Sequence, residues 1–276
     1  MADAKTVVAA GAFDDFSSRH VRLLDEAAKL GAVHVLLWSD ECVRALKGRS
    51  PNFPQAERLY LLESSRFVKT VSLVRDQTDG EALPRAGELK PEIWVVEEEE
   101  DNSWKRAAAA SLGIEYRVFK KQDLSGFPSL PFNPPDFGTS RKRVIVTGCF
   151  DWFHSGHVRF FEEVSELGDL YVVVGHDENI KLLKGEGHPM FSERERRYMV
   201  ASVRFVKQAL VSSGHGWMDA APEIALIKPH IYAVNADGDV PEKRAFSKEH
   251  GIEYVVLTRA PKQGLPKRQS TVLRGF

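Results

Sequence analysis

The stretch Gly148-Cys149-Phe150-Asp151-Trp152-Phe153-His154-Ser155-Gly156-His157 joins two segments of different periodicity. Ahead of it, Arg143-Val144-Ile145-Val146 has the β-branched run of a buried strand. Behind it, Val158-Arg159-Phe160-Phe161-Glu162-Glu163 opens a helical pattern. Two imidazoles three residues apart at a helix start can face one anion, and the first-turn N–H groups, which have no intrahelical partners, point at the same place. Gly156, just before the second imidazole, lets that anion approach the backbone. The arrangement suits a phosphate whose charge grows during reaction.

Outward from this stretch, strands are expected at 144–147, 170–174, 208–211, 231–234 and 254–257, with helices such as 158–167 and 192–203 between them. This alternation predicts an α/β fold with a doubly wound, mostly parallel sheet, whose ligand crevice lies at the carboxyl ends of the strands. The first half carries the same content in register. Gly11-Ala12-Phe13-Asp14-Asp15-Phe16 lies over Gly148-Cys149-Phe150-Asp151-Trp152-Phe153, 137 positions apart (148 − 11), and Lys47-Gly48 keeps that spacing to Lys184-Gly185. From Glu57-Arg58 over Glu195-Arg196 the spacing is 138 (195 − 57), and Gly113-Ile114-Glu115-Tyr116 over Gly251-Ile252-Glu253-Tyr254 holds it. The expectation is two tandem Rossmann-like domains, residues 1–121 and 142–276, joined by a Pro-rich linker over 122–141.

The decisive stretch resembles the G-x-F-D-x-x-H-x-G-H signature of the cytidylyltransferase-like nucleotidyltransferases. His176-Asp177-Glu178-Asn179-Ile180, Lys184-Gly185, Glu195-Arg196-Arg197-Tyr198-Met199-Val200 and Gln269-Ser270-Thr271-Val272-Leu273-Arg274 match the same family in the same order. The resemblance covers about residues 142 to 276. It implies a nucleotidyltransferase, in which a substrate phosphate attacks the α-phosphorus of a nucleoside triphosphate and pyrophosphate departs. By position, the catalytic residues would be His154 and His157 on the triphosphate, Lys184 between the α-phosphate and the incoming phosphate, and Arg196 on the departing β- and γ-phosphates. Gly148, Cys149, Phe150, Gly156, Asn235, Asp237, Ser270 and Thr271 would bind the nucleotide, and Asp177 and Arg259 the acceptor. Arg196 could instead pair with Glu193 or Glu195 on its own helix, Ser270-Thr271 could simply cap one, and Asp177 could be structural. Asp151 is expected to fix the turn. Mg²⁺ is expected with the triphosphate, held largely by phosphate oxygens and water rather than by a protein cage.

The segment from Lys184-Gly185 through Pro189-Met190-Phe191-Ser192 to Glu195-Arg196 is most similar to phosphoethanolamine and glycerol-3-phosphate cytidylyltransferases. That implies CTP and a phosphorylated alcohol such as phosphoethanolamine or glycerol 3-phosphate. Sugar-phosphate adenylyltransferases share these elements, and the alternative they imply is ATP with a sugar phosphate. Val234-Asn235-Ala236-Asp237-Gly238-Asp239 departs from the cytidylyltransferases, which often show a His-Asp pair there. A non-catalytic nucleotide-binding scaffold is the third reading, and the intact histidine pair argues against it.

Opposite His154-Ser155-Gly156-His157 the first half offers Ser17-Ser18-Arg19-His20, so one imidazole and the glycine are replaced. A fold retained with half its catalytic groups gone reads as a degenerate structural partner. Glu97-Glu98-Glu99-Glu100-Asp101 is expected to be a solvated acidic loop. The net charge of −1 gives no general attraction to nucleic acid or to an anionic bilayer. Cys42 and Cys149, without C-x-x-C spacing, make neither a zinc site nor a disulfide framework. With no signal-like start and no long apolar run, a cytoplasmic protein without an integral membrane segment is expected. The expected partners are the nucleoside triphosphate and a small phosphorylated acceptor, and a homodimer is compatible with this reading.

Overall fold

The computed structural model describes residues 4–76, 79, 80, 82, 83 and 89–273. Its first unit spans Met1–Gly126 and its second Phe127–Phe276. The first unit contains β1 (Thr6–Gly11), α1 (Ser18–Ala28), β2 (Ala32–Trp38), α2 (Asp40–Lys47), α3 (Gln55–Glu63), β3 (Val68–Val74), β4 (Ile93–Glu97), α4 (Ser103–Ser111) and β5 (Glu115–Phe119). The second contains β6 (Arg143–Gly148), α5 (Ser155–Leu167), β7 (Asp169–Val174), α6 (Asp177–Lys184), α7 (Glu193–Ala201), β8 (Val206–Val211), α8 (Ala221–Ile227), β9 (Ile231–Asn235), α9 (Pro241–Glu249), β10 (Glu253–Leu257) and α10 (Ser270–Leu273).

Each unit holds a five-stranded sheet, ordered β3-β2-β1-β4-β5 in the first and β10-β9-β6-β7-β8 in the second. The pairings in both sheets are parallel. Counted within its own unit, each sheet reads 3-2-1-4-5, an order that reverses between its first and fourth strands. The central strands are apolar on both faces because helices cover both. Val7 and Ala9 join one core with Leu24, Val35 and Ile93, while Val8 faces the other way onto Leu36, Cys42 and Val43. In the second unit Ile145, Tyr171, Val173, Tyr232 and Val234 pack with Ile224 and Ile227 of α8.

The reversal point is also where the sheet opens. β6 pairs with β7 from Arg143↔Asp169 to Gly148↔Val174, but with β9 only at Val144↔Ile231 and Ile145↔Tyr232. Past Ile145 the two strands part and leave a crevice at their carboxyl ends. β1 and β4 part in the same way after Val8↔Trp94. The turn leaving β6 places Phe150 in the left-handed region at φ 51°, and Phe13 repeats this at 47°. A side chain at Gly148 would meet the folded-back Phe150 ring at 2.8 Å, so that position must be glycine.

The division between units falls inside the expected linker. Residues 122–124 fold onto the first unit, where Asp123 O accepts from Arg22 at 3.1 Å and Leu124 packs on the core. Further along, Phe127 packs 5.3 Å from Tyr198, Leu130 O accepts from Arg197, and Pro131 O accepts from Gln208 at 3.1 Å. The Pro-rich segment therefore lies on the second unit. Among the described residues no helix is long and apolar enough to cross a membrane.

Candidate active site

A cavity of about 530 Å³ opens where β6 and β9 part. His154 is the residue just before α5, and its Nδ1 accepts the Gly156 N–H at 3.0 Å, which puts the ring proton on Nε2. His157, one turn along, stacks on it with ring centroids 4.0 Å apart and planes at 15°. Phe150 backs His157 edge-on at 5.4 Å and is itself packed on Phe161, so it supports the pair from behind. His154 Nε2 and His157 Nδ1 are buried and have no hydrogen-bond partner among the described residues. A buried polar atom left unpaired costs about 1–3 kcal/mol. Two of them side by side on a cavity wall mark a place that a ligand completes.

Burial, with the charges of Arg259 and Arg268, pulls His154 down to about 3. Burial and then His154, Arg259 and Lys184 hold His157 well below its ordinary value. Both rings are therefore neutral at physiological pH in the free protein, kept so by desolvation and by surrounding positive charge. A polyanion in the cavity reverses the second cause.

The cavity wall gathers most of the residues expected from sequence. Gly148, Cys149, Phe150 and Gly156 line it, with Lys184, Asn235, Asp237, Arg259 and Ser270 around the opening. A side chain at Gly156 would press on the His154 ring at 2.9 Å. Cys149 is half-buried, and burial raises its thiol. Lys184 ends α6 and is exposed. The loop after it is pinned to the histidine turn by the Asp151 carboxylate, which accepts Met190 N–H at 2.9 Å and Phe191 N–H at 3.0 Å. Asn235 leaves a buried Oδ1 unpaired among the described residues, and Asp237 is ion-paired with Arg259. Ser270 Oγ donates to Trp152 O at 3.2 Å. The Thr271 side chain and Arg274 lie outside the described residues.

Arg196 and Asp177 are elsewhere. Arg196 is 1% exposed, and its guanidinium donates to Cys149 O at 2.7 Å, Gly175 O at 2.8 Å, Phe191 O at 2.9 Å and Asp177 Oδ1 at 2.6 Å. Its donors are committed to tying three chain segments together beneath the cavity. Asp177 is the acid of that knot.

The first unit provides an internal comparison. Arg58 repeats the knot on Ala12 O, Trp38 O, Phe53 O and Asp40. Asp14 repeats Asp151, accepting from Asn52 N–H and Phe53 N–H. These contacts recur where the histidine pair does not, so they belong to the frame. At the helix start, by contrast, Ser17 replaces the first imidazole and donates its N–H to His20 Nδ1 at 3.2 Å. Burial, with Arg19 and Lys47, lowers His20 to about 4. Arg19, in place of Gly156, reaches Glu97 and, at 2.6 Å, Glu99. Those acids stand at the positions of Asn235 and Asp237, 138 residues on (237 − 99). The first-unit cavity, about 440 Å³, has these ion pairs on its wall. The acidic run is thus not simply solvated, since Glu100 also pairs with Lys105 and Asp101 with Arg106.

Sequence reasoning missed Lys243, the third residue of α9. It lines the cavity, lies 5.9 Å over the Tyr232 ring, donates to Gly238 O at 3.3 Å, and is lowered by burial. The repeat itself carried the signal, because Lys105 sits 138 positions earlier (243 − 105) and donates to Glu100 O at 2.9 Å. His188 also reaches the wall. Among the described residues no group of three or more His, Cys, Asp or Glu could hold a metal ion.

Residues 145–274 match the model of the cytidylyltransferase-like family. The FAD synthase of Ferroglobus placidus is 34% identical over 119 residues, which are 42% of this chain and 74% of that protein. The bifunctional protein HldE of Pelobacter propionicus is 35% identical over 98 residues, 35% of this chain and 20% of that protein. The chain thus spans only about a fifth of the length of HldE. A lipopolysaccharide core biosynthesis protein from Thermoplasma volcanium has a solved structure with TM-score 0.37 and 26% identity, covering 47% of this chain and 100% of that one. The chain belongs to the cytidylyltransferase-like nucleotidyltransferase family.

Proposed function

We propose that the second unit joins the nucleotidyl group of a nucleoside triphosphate to a small phosphorylated acceptor and releases pyrophosphate. The observation that carries this is the pair of stacked, neutral imidazoles whose buried, unpaired nitrogens adjoin a cavity of about 530 Å³. An acceptor phosphate is already ionised at neutral pH, so the reaction needs no strong general base. What it needs is two polyanions held in line and the charge building on the α-phosphoryl group and the leaving oxygen offset. An acceptor oxygen forms a bond to the α-phosphorus, and the bond to the bridging oxygen breaks, carrying its electron pair to pyrophosphate.

In this reading His154 donates through Nε2–H to the phosphoryl oxygens, and His157 binds beside it at the start of α5. Lys184, at the end of α6 and just before the loop pinned by Asp151, bridges the acceptor phosphate and the α-phosphate. Lys243 and Arg259 add positive charge at the back and mouth. Arg196 acts through the backbone it ties, as a positioning residue. Mg²⁺ belongs to the substrate here, arriving on the triphosphate oxygens.

One relative bears on the donor. FAD synthase makes a product that contains an adenylyl group. Together with the absence of a His-Asp pair after β9, this favours ATP over the CTP that the Lys-Gly and Glu-Arg spacing suggests. The test is a pyrophosphate-release screen of ATP and CTP against glycerol 3-phosphate, phosphoethanolamine, sugar phosphates and flavin mononucleotide. Release with ATP and one acceptor class is the expected result. Release with CTP and a phosphorylated alcohol would restore the cytidylyl reading. Binding of triphosphate without turnover across the panel would favour a scaffold.

A further inference from the structure

The cavity that is read as receiving a triphosphate also carries a carboxylate on its wall. Asp151 is there, but its oxygens are taken by the Met190 and Phe191 N–H groups. Asp237 is the other acid among the described lining residues, two positions past the end of β9, and its side chain is 54% exposed. It faces a lining that includes Lys184, Lys243 and Arg259. A carboxylate there opposes every phosphate that enters, so its presence needs a reason.

Its contact supplies one. Asp237 is ion-paired with Arg259, whose other terminal nitrogen reaches Arg268 O at 3.5 Å. Arg259 lies in the left-handed region at φ 54°, an uncommon conformation for arginine, and it lines the cavity. The first unit gives an independent observation. Glu99, at the position of Asp237, also holds an arginine over its cavity, but that residue is Arg19 of α1 rather than one from the segment after the last strand. The acid keeps an arginine partner in both copies while the partner changes element. It does so even in the copy whose first imidazole is replaced by Ser17.

We infer that Asp237 is a displaceable counter-ion for Arg259, parking the guanidinium at the cavity mouth and yielding it to an entering phosphate. It thereby sets phosphate affinity and pyrophosphate release, and does not choose the base. The inference rests on the nucleotidyl-transfer reading of this cavity. The free carboxylate left after the exchange then favours departure of the product, because it competes for the same arginine.

The test uses the full chain and inorganic tripolyphosphate, which has phosphates and no base, with binding measured by calorimetry at low salt. Asp237→Asn should bind tripolyphosphate roughly two- to fivefold more tightly than the wild type, in the range of a partly exposed charge pair. Pyrophosphate should become a stronger product inhibitor by a similar factor. KM for ATP and for CTP should fall together, leaving their ratio unchanged. The tightening should be confined to chains that keep Arg259. An equal gain in the Arg259→Gln background would make Asp237 a general repulsive charge and overturn the counter-ion role. Unchanged tripolyphosphate affinity with a shifted ATP-to-CTP ratio would make it a base reader, which also overturns the inference. Both residues are at the mouth, so thermal melting of each variant serves as the folding control. A wild-type chain that binds neither tripolyphosphate nor any triphosphate would sink the nucleotidyl-transfer reading itself, a failure separate from the other two.

Discussion

His154 stays neutral because burial and two arginines make a second proton costly, and that cost is measurable as stability. Above the ordinary value of 6.5 the folded and unfolded chains are both neutral at this residue, so it contributes no pH dependence. As pH falls from 6.5 toward the folded value of about 3, the unfolded chain takes a proton that the folded one declines. Stability is then lost at up to about 1.4 kcal/mol per pH unit for such a group. His157 adds in the same direction. Urea unfolding at pH 7 and pH 5 should show this loss in the wild type and a smaller one in His154→Asn. Equal losses in both would mean that His154 titrates normally. In the proposed reaction His154→Ala should lower kcat by about 10²- to 10³-fold, the usual cost of one donor aimed at developing charge. His20→Ala should leave turnover unchanged, because its partner imidazole is replaced by Ser17 and Arg19, in place of the glycine, is ion-paired with Glu97 and Glu99. The arginine knots separate frame from chemistry in the same manner. Arg196→Ala and Arg58→Ala should each cost about 3–5 kcal/mol of their unit's stability by stranding buried partners. If Arg196→Ala abolished turnover with stability intact, the arginine would have to reach the phosphates after all.

At the scale of elements, the site exists because β6 and β9 part after two paired residues, and because the loop following α6 is brought back over the opening. Asp151 makes that second connection. Asp151→Ala should therefore loosen 185–191, raising protease cleavage there and lowering kcat/KM through misplaced Lys184 while α5 and the sheet stay folded. Asp14→Ala should loosen the matching loop of the first unit without touching turnover. The strands and the helices 155–167 and 193–201 were legible in the sequence within a few residues, because buried parallel strands read as unbroken β-branched runs and helices as one-sided ones. The histidine turn was legible for the same local reason. The fate of Arg196 was not. A guanidinium that binds phosphate and one that binds three carbonyls have the same sequence neighbours, and only the distant partners Cys149 O and Gly175 O decide between them. Lys243 was hidden because it belongs to the site only through the packing of α9 under Gly238, although its echo at Lys105 was there to be read.

At the scale of the chain, the proposed site draws all its residues from the second unit, and the segment before β6 has been given to that unit as well. Phe127 on Tyr198, Leu130 O under Arg197, Pro131 O on Gln208, and Phe137 with Arg143 at 4.8 Å make it a strap along the fold rather than a free tether. An aromatic pair contributes about 0.5–1.5 kcal/mol, and each stranded polar partner costs about 1–3 kcal/mol. A fragment of residues 127–276 should therefore melt higher than one of residues 142–276, by roughly 5–10 °C for a loss of a few kcal/mol in a domain of this size. Equal melting temperatures would return the segment to the status of a linker. The longer fragment also tests where the chemistry resides. With the histidine pair, Lys184, Lys243 and Arg259 all present, it should turn over at the rate of the full chain. A stable 127–276 fragment that binds triphosphate but has lost kcat would mean that the first unit supplies a group to the reaction, and the paired Arg19, Glu97 and Glu99 would be the residues to change next.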